Sequence, residues 1–350
     1  MFRSSFLSSS LFISYLSSLI FFIPSVSAQE TAGLRLITSP LPINLSVEPG
    51  SSAVAELKVK NDGSQEEKLK VSLMKFDAYG ESGSPRLMDP EPADDFIKWV
   101  SFSEPSFSLG TNEWKTIKAT FNVPKSASFG YYYAIVFSRA NDQGTSGSNE
   151  TALVGGTAIL VLLDAKVPDA KRQVEMKEFS TNRSFYEFLP AIFSVKLENT
   201  GNVHVAPHGN IFITQGNKTV DTIEVNTEQG NILPDSGRVF TPVWENGFPV
   251  YHEKIEDGKV VHDEQGNVLK ELTWDWKDAS KFRFGKYTAK LVMVYDDGAR
   301  DVSLEAEVSF WVMPWRVIGA SVVILLFAFI GFKNTFLGFF RKVRGLFTKA

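Results

Sequence analysis

The chain has 350 residues, with 36 Lys and Arg against 40 Asp and Glu, a formal net charge of −4 and no cysteine. That length holds two domains of ordinary size. The acidic balance argues against nucleic acid as a partner, and the lack of thiols excludes disulfide staples and cysteine chemistry, so the folded parts rest on apolar packing alone.

In chain order, Arg3 precedes a serine-diluted apolar stretch over residues 11–26, and Val26 and Ala28 occupy the −3 and −1 positions of a cleavage site before Gln29. This predicts a signal peptide over 1–28, which if uncleaved would be a second span with a short inner N-terminus. From residue 29 onward the hydrophobic pattern has period two and no amphipathic helix of useful length is legible. Residues 53–60 alternate, Asn61-Asp62-Gly63 interrupts them and 68–74 resumes, which predicts a hairpin turning on Asp-Gly. Residues 114–123 alternate again, Pro124 ends the run, Phe129-Gly130 turns, and 131–138 (YYYAIVFS) reads as a strongly β-prone strand. Residues 142–150 read as a flexible loop tip. The continuously apolar 157–163 (TAILVLL) predicts a strand buried on both faces.

Pro168 and the charged residues around it suggest a domain boundary, with a short stiff junction. The second half echoes the first: AIFSVKLE over 191–198 is closed by Asn199-Thr200-Gly201-Asn202, as AELKVK is closed by Asn61-Asp62-Gly63. Strands follow at 210–214, 219–225 and 238–243, and a final hairpin over 285–295 and 302–312 turns at Asp296-Asp297-Gly298. Residues 245–278 depart from this spacing. They are polar, carry Trp274 and Trp276, and read as an inserted loop or hairpin and a candidate binding element.

The C-terminus is the plainest feature. An uncharged apolar run over 317–332 is followed by Lys333, Arg341, Lys342, Arg344 and Lys349 with no acid among them. It predicts a transmembrane helix over 315–332, with Trp315 at the interface, Arg316 and Lys333 snorkelling outward, and a basic cytoplasmic tail over 333–350. The fold class expected is therefore all-β: two tandem immunoglobulin-like β-sandwich domains, 29–167 and 168–312, then one C-terminal transmembrane helix. The protein is placed in the plasma membrane as a single-pass protein with its β domains outside.

No nucleophile, phosphate-loop or HExxH motif is present, so no catalytic residue is assigned and an enzyme is not expected. His204 and His208 are four apart, but Pro207 and Gly209 deny them a shared helical face, and a turn explains Asp296-Asp297-Gly298, so neither a metal nor a cofactor is assigned. The acid cluster over 89–95 lacks the glycine and acid spacing of a calcium loop. Candidate ligand contacts are aromatic: Tyr131, Tyr132 and Tyr133, which must alternate between faces, together with Trp274 and Trp276.

Leu45-Ser46-Val47-Glu48-Pro49-Gly50 opens the first domain, and Phe107-Ser108-Leu109 leads to Phe121-Asn122-Val123-Pro124-Lys125 and Phe129-Gly130. Gly285-Lys286-Tyr287-Thr288 and Val308-Ser309-Phe310-Trp311-Val312 close the second. In this arrangement the chain resembles the WxL-interacting protein family of Gram-positive surfaces, from whose pattern it departs at 131–134 and 245–278. The resemblance implies a non-enzymatic role, the first domain binding peptidoglycan or a partner surface protein and the second reaching other surface ligands. Expected is thus a membrane-anchored surface protein that binds cell-wall polymer or other surface proteins. The alternative is an accessory subunit or strand-donating chaperone of an envelope assembly such as a pilus or secretion complex.

Overall fold

The structure, a computed structural model, describes residues 33–141 and 156–347. The expected leader and the loop tip at 142–150 lie outside the described residues.

The first sandwich comprises β1 (Leu36–Ser39), β2 (Ile43–Val47), β3 (Ser52–Asn61), β4 (Glu67–Tyr79), β5 (Ser84–Met88), β6 (Val100–Phe102), β7 (Ser106–Leu109), β8 (Trp114–Asn122), β9 (Gly130–Arg139) and β10 (Gly156–Ala165). One sheet runs β1-β3-β8-β6 and the other β2-β10-β9-β4-β5, with β7 also paired to β4. Alternation decides which side chains point inward: Leu57, Val59, Ile117 and Phe121 from one sheet meet Tyr133, Ile135, Phe137, Ile159 and Val161 from the other in one core. All pairings are antiparallel except β2 against β10.

The second sandwich comprises β11 (Val174–Thr181), β12 (Phe185–Tyr186), β13 (Ala191–Asn199), β14 (His208–Gln215), β15 (Lys218–Val225), β16 (Ser236–Phe240), β17 (Val243–Trp244), β18 (Val250–Glu253), β19 (Ile255–Glu256), β20 (Lys259–Val260), β21 (Lys270–Thr273), β22 (Gly285–Asp296) and β23 (Asp301–Val312). Sheet β11-β13-β16, with β17 on β13, faces sheet β12-β23-β22-β14-β15. Phe193, Val195, Leu197 and Trp244 close on Tyr287, Leu291, Met293 and Phe310. No strand pairing among the described residues crosses between the two sandwiches, whose architecture is immunoglobulin-like. Residues 245–278 form a hairpin, β18 against β21, that carries the small hairpin β19–β20 at its tip.

One turn differs from its sequence pattern. β3 and β4 do not pair; they belong to opposite sheets, so Asn61-Asp62-Gly63 begins a crossing and not a hairpin. The reason is the side chain at the strand end. Asn61 is fully buried; its Nδ2 donates to Gln65 O at 2.7 Å and Leu109 O at 3.0 Å, while its Oδ1 accepts from Gly63 N at 2.9 Å. Asn199 repeats the device in the second sandwich. It is also fully buried, donating to Val203 O and Ile232 O, both at 2.8 Å, and accepting from Gly201 N at 2.8 Å. Each amide spends its capacity on backbone groups that would otherwise be orphaned inside.

After β23, Met313 and Pro314 lead without a linker into α1 (Trp315–Phe347), whose first turn has Ile318 N donating to Pro314 O at 3.0 Å. Described α1 side chains are those of 315–330 and Lys333, and the apolar ones are exposed from Val317 to Ile330. Among the described residues no helix is long and apolar enough to cross a membrane. The helix is thus observed, while its crossing of a membrane is an expectation of the sequence.

Asn61→Ala and Asn199→Ala are each expected to destabilise the full-length protein by about 2 to 3 kcal/mol, because each strands buried backbone groups. The two losses should add in the double variant, since the sites share no partner. Urea unfolding of the three variants checks both statements; a shift from only one substitution would show that the two asparagines are not equivalent.

Candidate functional site at the domain junction

The connecting segment 166–173 has little freedom. Lys171 N donates to Asn202 Oδ1 at 2.6 Å, Asn202 Nδ2 donates to Asp169 O at 3.0 Å, and Thr200 N donates to Gln173 O at 2.9 Å. Gly201 is required there, since a Cβ would sit 2.1 Å from Lys171 O. Beside this lacing, Asp164 at the end of β10 is nearly buried, and its Oδ2 accepts from Arg172 Nη2 at 2.9 Å. His204 Nδ1 lies 3.1 Å from Asp164 Oδ1, and neither atom has a hydrogen-bond partner among the described residues. The His204 ring meets Tyr132 edge-on at 5.8 Å. Burial, and then the Asp164 charge, push the Tyr132 phenol far above its ordinary value, so this hydroxyl stays neutral.

A second contact lies at the tip of the β4–β5 hairpin. Glu81 Oε1 pairs with Lys196 Nζ on β13 at 2.7 Å, and the Glu81 carbonyl accepts from Val239 N on β16 at 2.8 Å. Between these contacts the loop before β16 lies over the outer face of the β4-β9-β10 sheet. Leu233 at its crest joins Met74, Phe76, Ala134, Val136 and Leu162 in a third apolar cluster. The loop is held from behind, since Asn199 bonds Ile232 O, and Asn226 closes its base by donating to Pro207 O at 2.6 Å and accepting from Gly230 N at 2.7 Å.

Where this cover is incomplete there is a cavity of about 420 Å³, within the size range of ligand pockets. Phe76, Leu87, Leu160 and Leu162 form its wall on the first sandwich, and Ile232, Leu233 and Arg238 on the second. Two charges in its wall, Arg238 and Glu228, have no ion pair among the described residues. Asp77, also in the wall, receives Arg86 Nε at 2.9 Å. Among the described residues no carboxylate lies within ion-pair distance of Arg238, whose Nη1 donates to Asn231 O at 3.0 Å and whose guanidinium rests 5.1 Å from the Phe240 ring centre. Burial lowers its pKa and the more distant Glu228 works against that shift. Gly83 from one domain and Gly230 from the other make room for it, since a Cβ at either would come within 2.4 Å of the guanidinium. A largely apolar cavity edged by a guanidinium without an ion pair, with the Glu228 carboxylate also in its wall, suits an apolar group whose polar end can bond that guanidinium, a carboxylate above all.

The candidate tyrosines separate by face. Tyr133 is fully buried in the first core against Phe96 and Phe121, its hydroxyl donating to Phe96 O at 3.2 Å. Tyr131 packs on Trp99 at 4.7 Å and accepts from Ser128 N at 3.0 Å. Both lie on the inward face of β9, Tyr133 within the core and Tyr131 partly buried against it. Tyr132 points the other way, into the junction, and borders a second cavity of about 470 Å³ with Phe129, Asn202 and Leu233. Trp274 and Trp276 lie on the inserted hairpin, clustered with Phe188 and Phe248 and away from the cavities at the junction. At the start of α1, Trp315 is exposed and Arg316 Nε lies 3.5 Å from Glu187 Oε2. Lys333 is exposed, while the side chains of Arg341, Lys342 and Arg344 lie outside the described residues. Sequence reasoning passes over Leu233 and Arg238. The signal that could have led to them is the run at 157–163, because a strand buried on both faces needs a cover from elsewhere in the chain.

No protein-family model and no curated protein sequence matches the chain. Among solved structures it is similar to the class 5 fimbriae chaperone CfaA, at 16% identity over 69% of this chain and 100% of that one, with a TM-score of 0.34. It is similar to a chain of the CsuC-CsuE chaperone-tip adhesion subunit pre-assembly complex of Acinetobacter baumannii, at 11% identity over 77% and 97%, with a TM-score of 0.34. The E. coli chaperone DraB is similar at 14% identity over 79% and 97%, with a TM-score of 0.33. Likeness at these identities and scores fixes neither ligand nor partner.

Leu233→Ala is expected to destabilise the protein by about 2 to 3 kcal/mol through the void it leaves, and to broaden the distances between spin labels placed one in each sandwich. The native chain has no cysteine, so paired labels are straightforward. An unchanged distance distribution would mean that the polar contacts hold the joint without Leu233.

Proposed function

We propose that the protein is a non-enzymatic, membrane-tethered surface protein that binds a polypeptide segment of another surface or envelope protein at the junction of its two sandwiches. The observation that carries this is the cavity with aliphatic and aromatic walls and an unpaired Arg238 at its edge. A peptide offers what complements that surface, apolar side chains for its walls and a carboxylate for Arg238 on one chain, whereas a wall glycan offers hydroxyls that the apolar walls would leave unpaired. Anchoring by residues 315–332, with the sandwiches outside the cell and the tail inside, belongs to the same proposal. It is supported by the exposed apolar side chains from Val317 to Ile330 and by the one-sided basic tail. The resemblance to WxL-interacting proteins points toward the same role. A share in an envelope assembly is one form of it, distinguished by how many partners are captured.

The test is capture by the full-length protein in nanodiscs, run in parallel on purified cell-wall sacculi and on an extract of surface proteins, with wild type and Arg238→Glu. Capture of protein that falls at least about tenfold in Arg238→Glu, a change of about 1.4 kcal/mol, is the expected result. One discrete protein retained in fixed ratio would identify an assembly subunit. Retention on sacculi that is indifferent to Arg238→Glu would overturn the polypeptide reading in favour of wall-polymer binding.

A further inference from the structure

We propose that the end of the second sandwich nearest α1 is an aromatic collar that beds in the headgroup region of the bilayer, so that the domain rests on the membrane instead of standing off it. This rests on the reading of α1 as the anchor.

Strand register brings the collar together. Phe185 pairs in parallel with Trp311, and Gly285 lies opposite Val312, so Phe284 emerges at the same end. Met313 N donates to Tyr186 O at 2.8 Å, and Trp315 follows as the first residue of the helix. The inserted hairpin is attached to this end as well: Phe188, two residues past Tyr186, meets Trp274 at 6.3 Å, and Phe248 meets Trp274 at 5.7 Å and Trp276 at 5.3 Å. Six large aromatics, Phe185, Trp274, Trp276, Phe284, Trp311 and Trp315, are thus between 44% and 73% exposed at one end of the molecule. An apolar concentration of this kind marks an interaction surface.

The occupant follows from chain continuity. No linker separates β23 from α1, and the apolar side chains begin at Val317. Three steps of at most about 3.4 Å and two helical steps of about 1.5 Å separate Val312 from Val317, so a bilayer entered at Val317 begins within roughly 13 Å of the end of β23. Large side chains that project from that end toward the helix reach the headgroup zone, where amphipathic tryptophan rings and cations are favoured. Lys277, Lys281, Lys286 and Arg316 supply the cations, with Asp278 paired to Lys281 at 2.9 Å and Glu187 near Arg316. The hairpin is in this account a second foot that fixes the tilt and rotation of the sandwich on the membrane.

Because the native chain lacks cysteine, one introduced thiol is a unique labelling site. Full-length Trp276→Cys, Trp274→Cys, Phe327→Cys and Ser64→Cys would each carry an environment-sensitive fluorophore in liposomes of zwitterionic and anionic lipids doped with spin-labelled lipid. Position 327 reports the anchor and position 64, exposed on the first sandwich, reports bulk water. Quenching at 276 or 274 by a headgroup-level spin label at least about threefold above that at 64 is expected. Position 327 should instead respond to a deep acyl-chain label. Quenching at 327 with 274 and 276 indistinguishable from 64 would overturn the collar and leave the anchor standing. No quenching at 327, with the protein failing to float with the liposomes, would overturn the anchor and the collar together.

Discussion

The outer face of the β4-β9-β10 sheet cannot be left to water, and the organisation of the junction follows from that constraint. Met74, Phe76, Val136 and Leu162 point away from the first core and would be an apolar patch on an isolated domain. The second sandwich supplies the cover through a single crest, Leu233, on a loop held by Asn199 and Asn226. A crest covers less than a sheet would. The space on either side of it becomes two cavities, and Arg238 enters one of them because glycine occupies both neighbouring positions, 83 and 230.

The ion pairs around the joint act as register more than as cohesion. Glu81 and Lys196 are partly exposed, so their attraction is screened and worth little in net stability. Asp164 with Arg172 is more enclosed, and removing one partner would leave the other charge without compensation. Both pairs lie at the margins of the apolar contact. They penalise sliding of one sandwich over the other, while Leu233 and the surfaces it touches supply the attraction. A joint laced by Asn202 and flanked by two ion pairs is a fixed frame for a groove, and a fixed frame spares a bound segment the cost of ordering its receptor.

In the proposed reading the two ends of the second sandwich have opposite tasks. One is bedded at the membrane by an aromatic collar, the other holds the first sandwich through the joint. Rigid contacts at both ends would make the groove's orientation to the cell surface a property of the fold and not of a flexible tether.

The sequence by itself determined the class of secondary structure and the positions of most strands, because period-two alternation is a local consequence of strand geometry. It also determined the apolar C-terminal segment, the matching asparagine turns at Asn61 and Asn199, and the demand for a cover over residues 157–163. Alternation tells which side chains share a face but not what that face meets. Hence Tyr131, Tyr132 and Tyr133 were legible as an alternating set, while only packing decided that Tyr131 and Tyr133 enter the core and Tyr132 the junction. The same gap explains Asn61-Asp62-Gly63, whose residues suit a hairpin until the buried amide of Asn61 engages Leu109 O, far along the chain, and sends β4 to the other sheet. Arg238 is the extreme case: Phe240 lies on its own strand, but Gly83 comes from the first sandwich and Gly230 from the loop before that strand, so only the tertiary structure could make it an unpaired charge of a cavity.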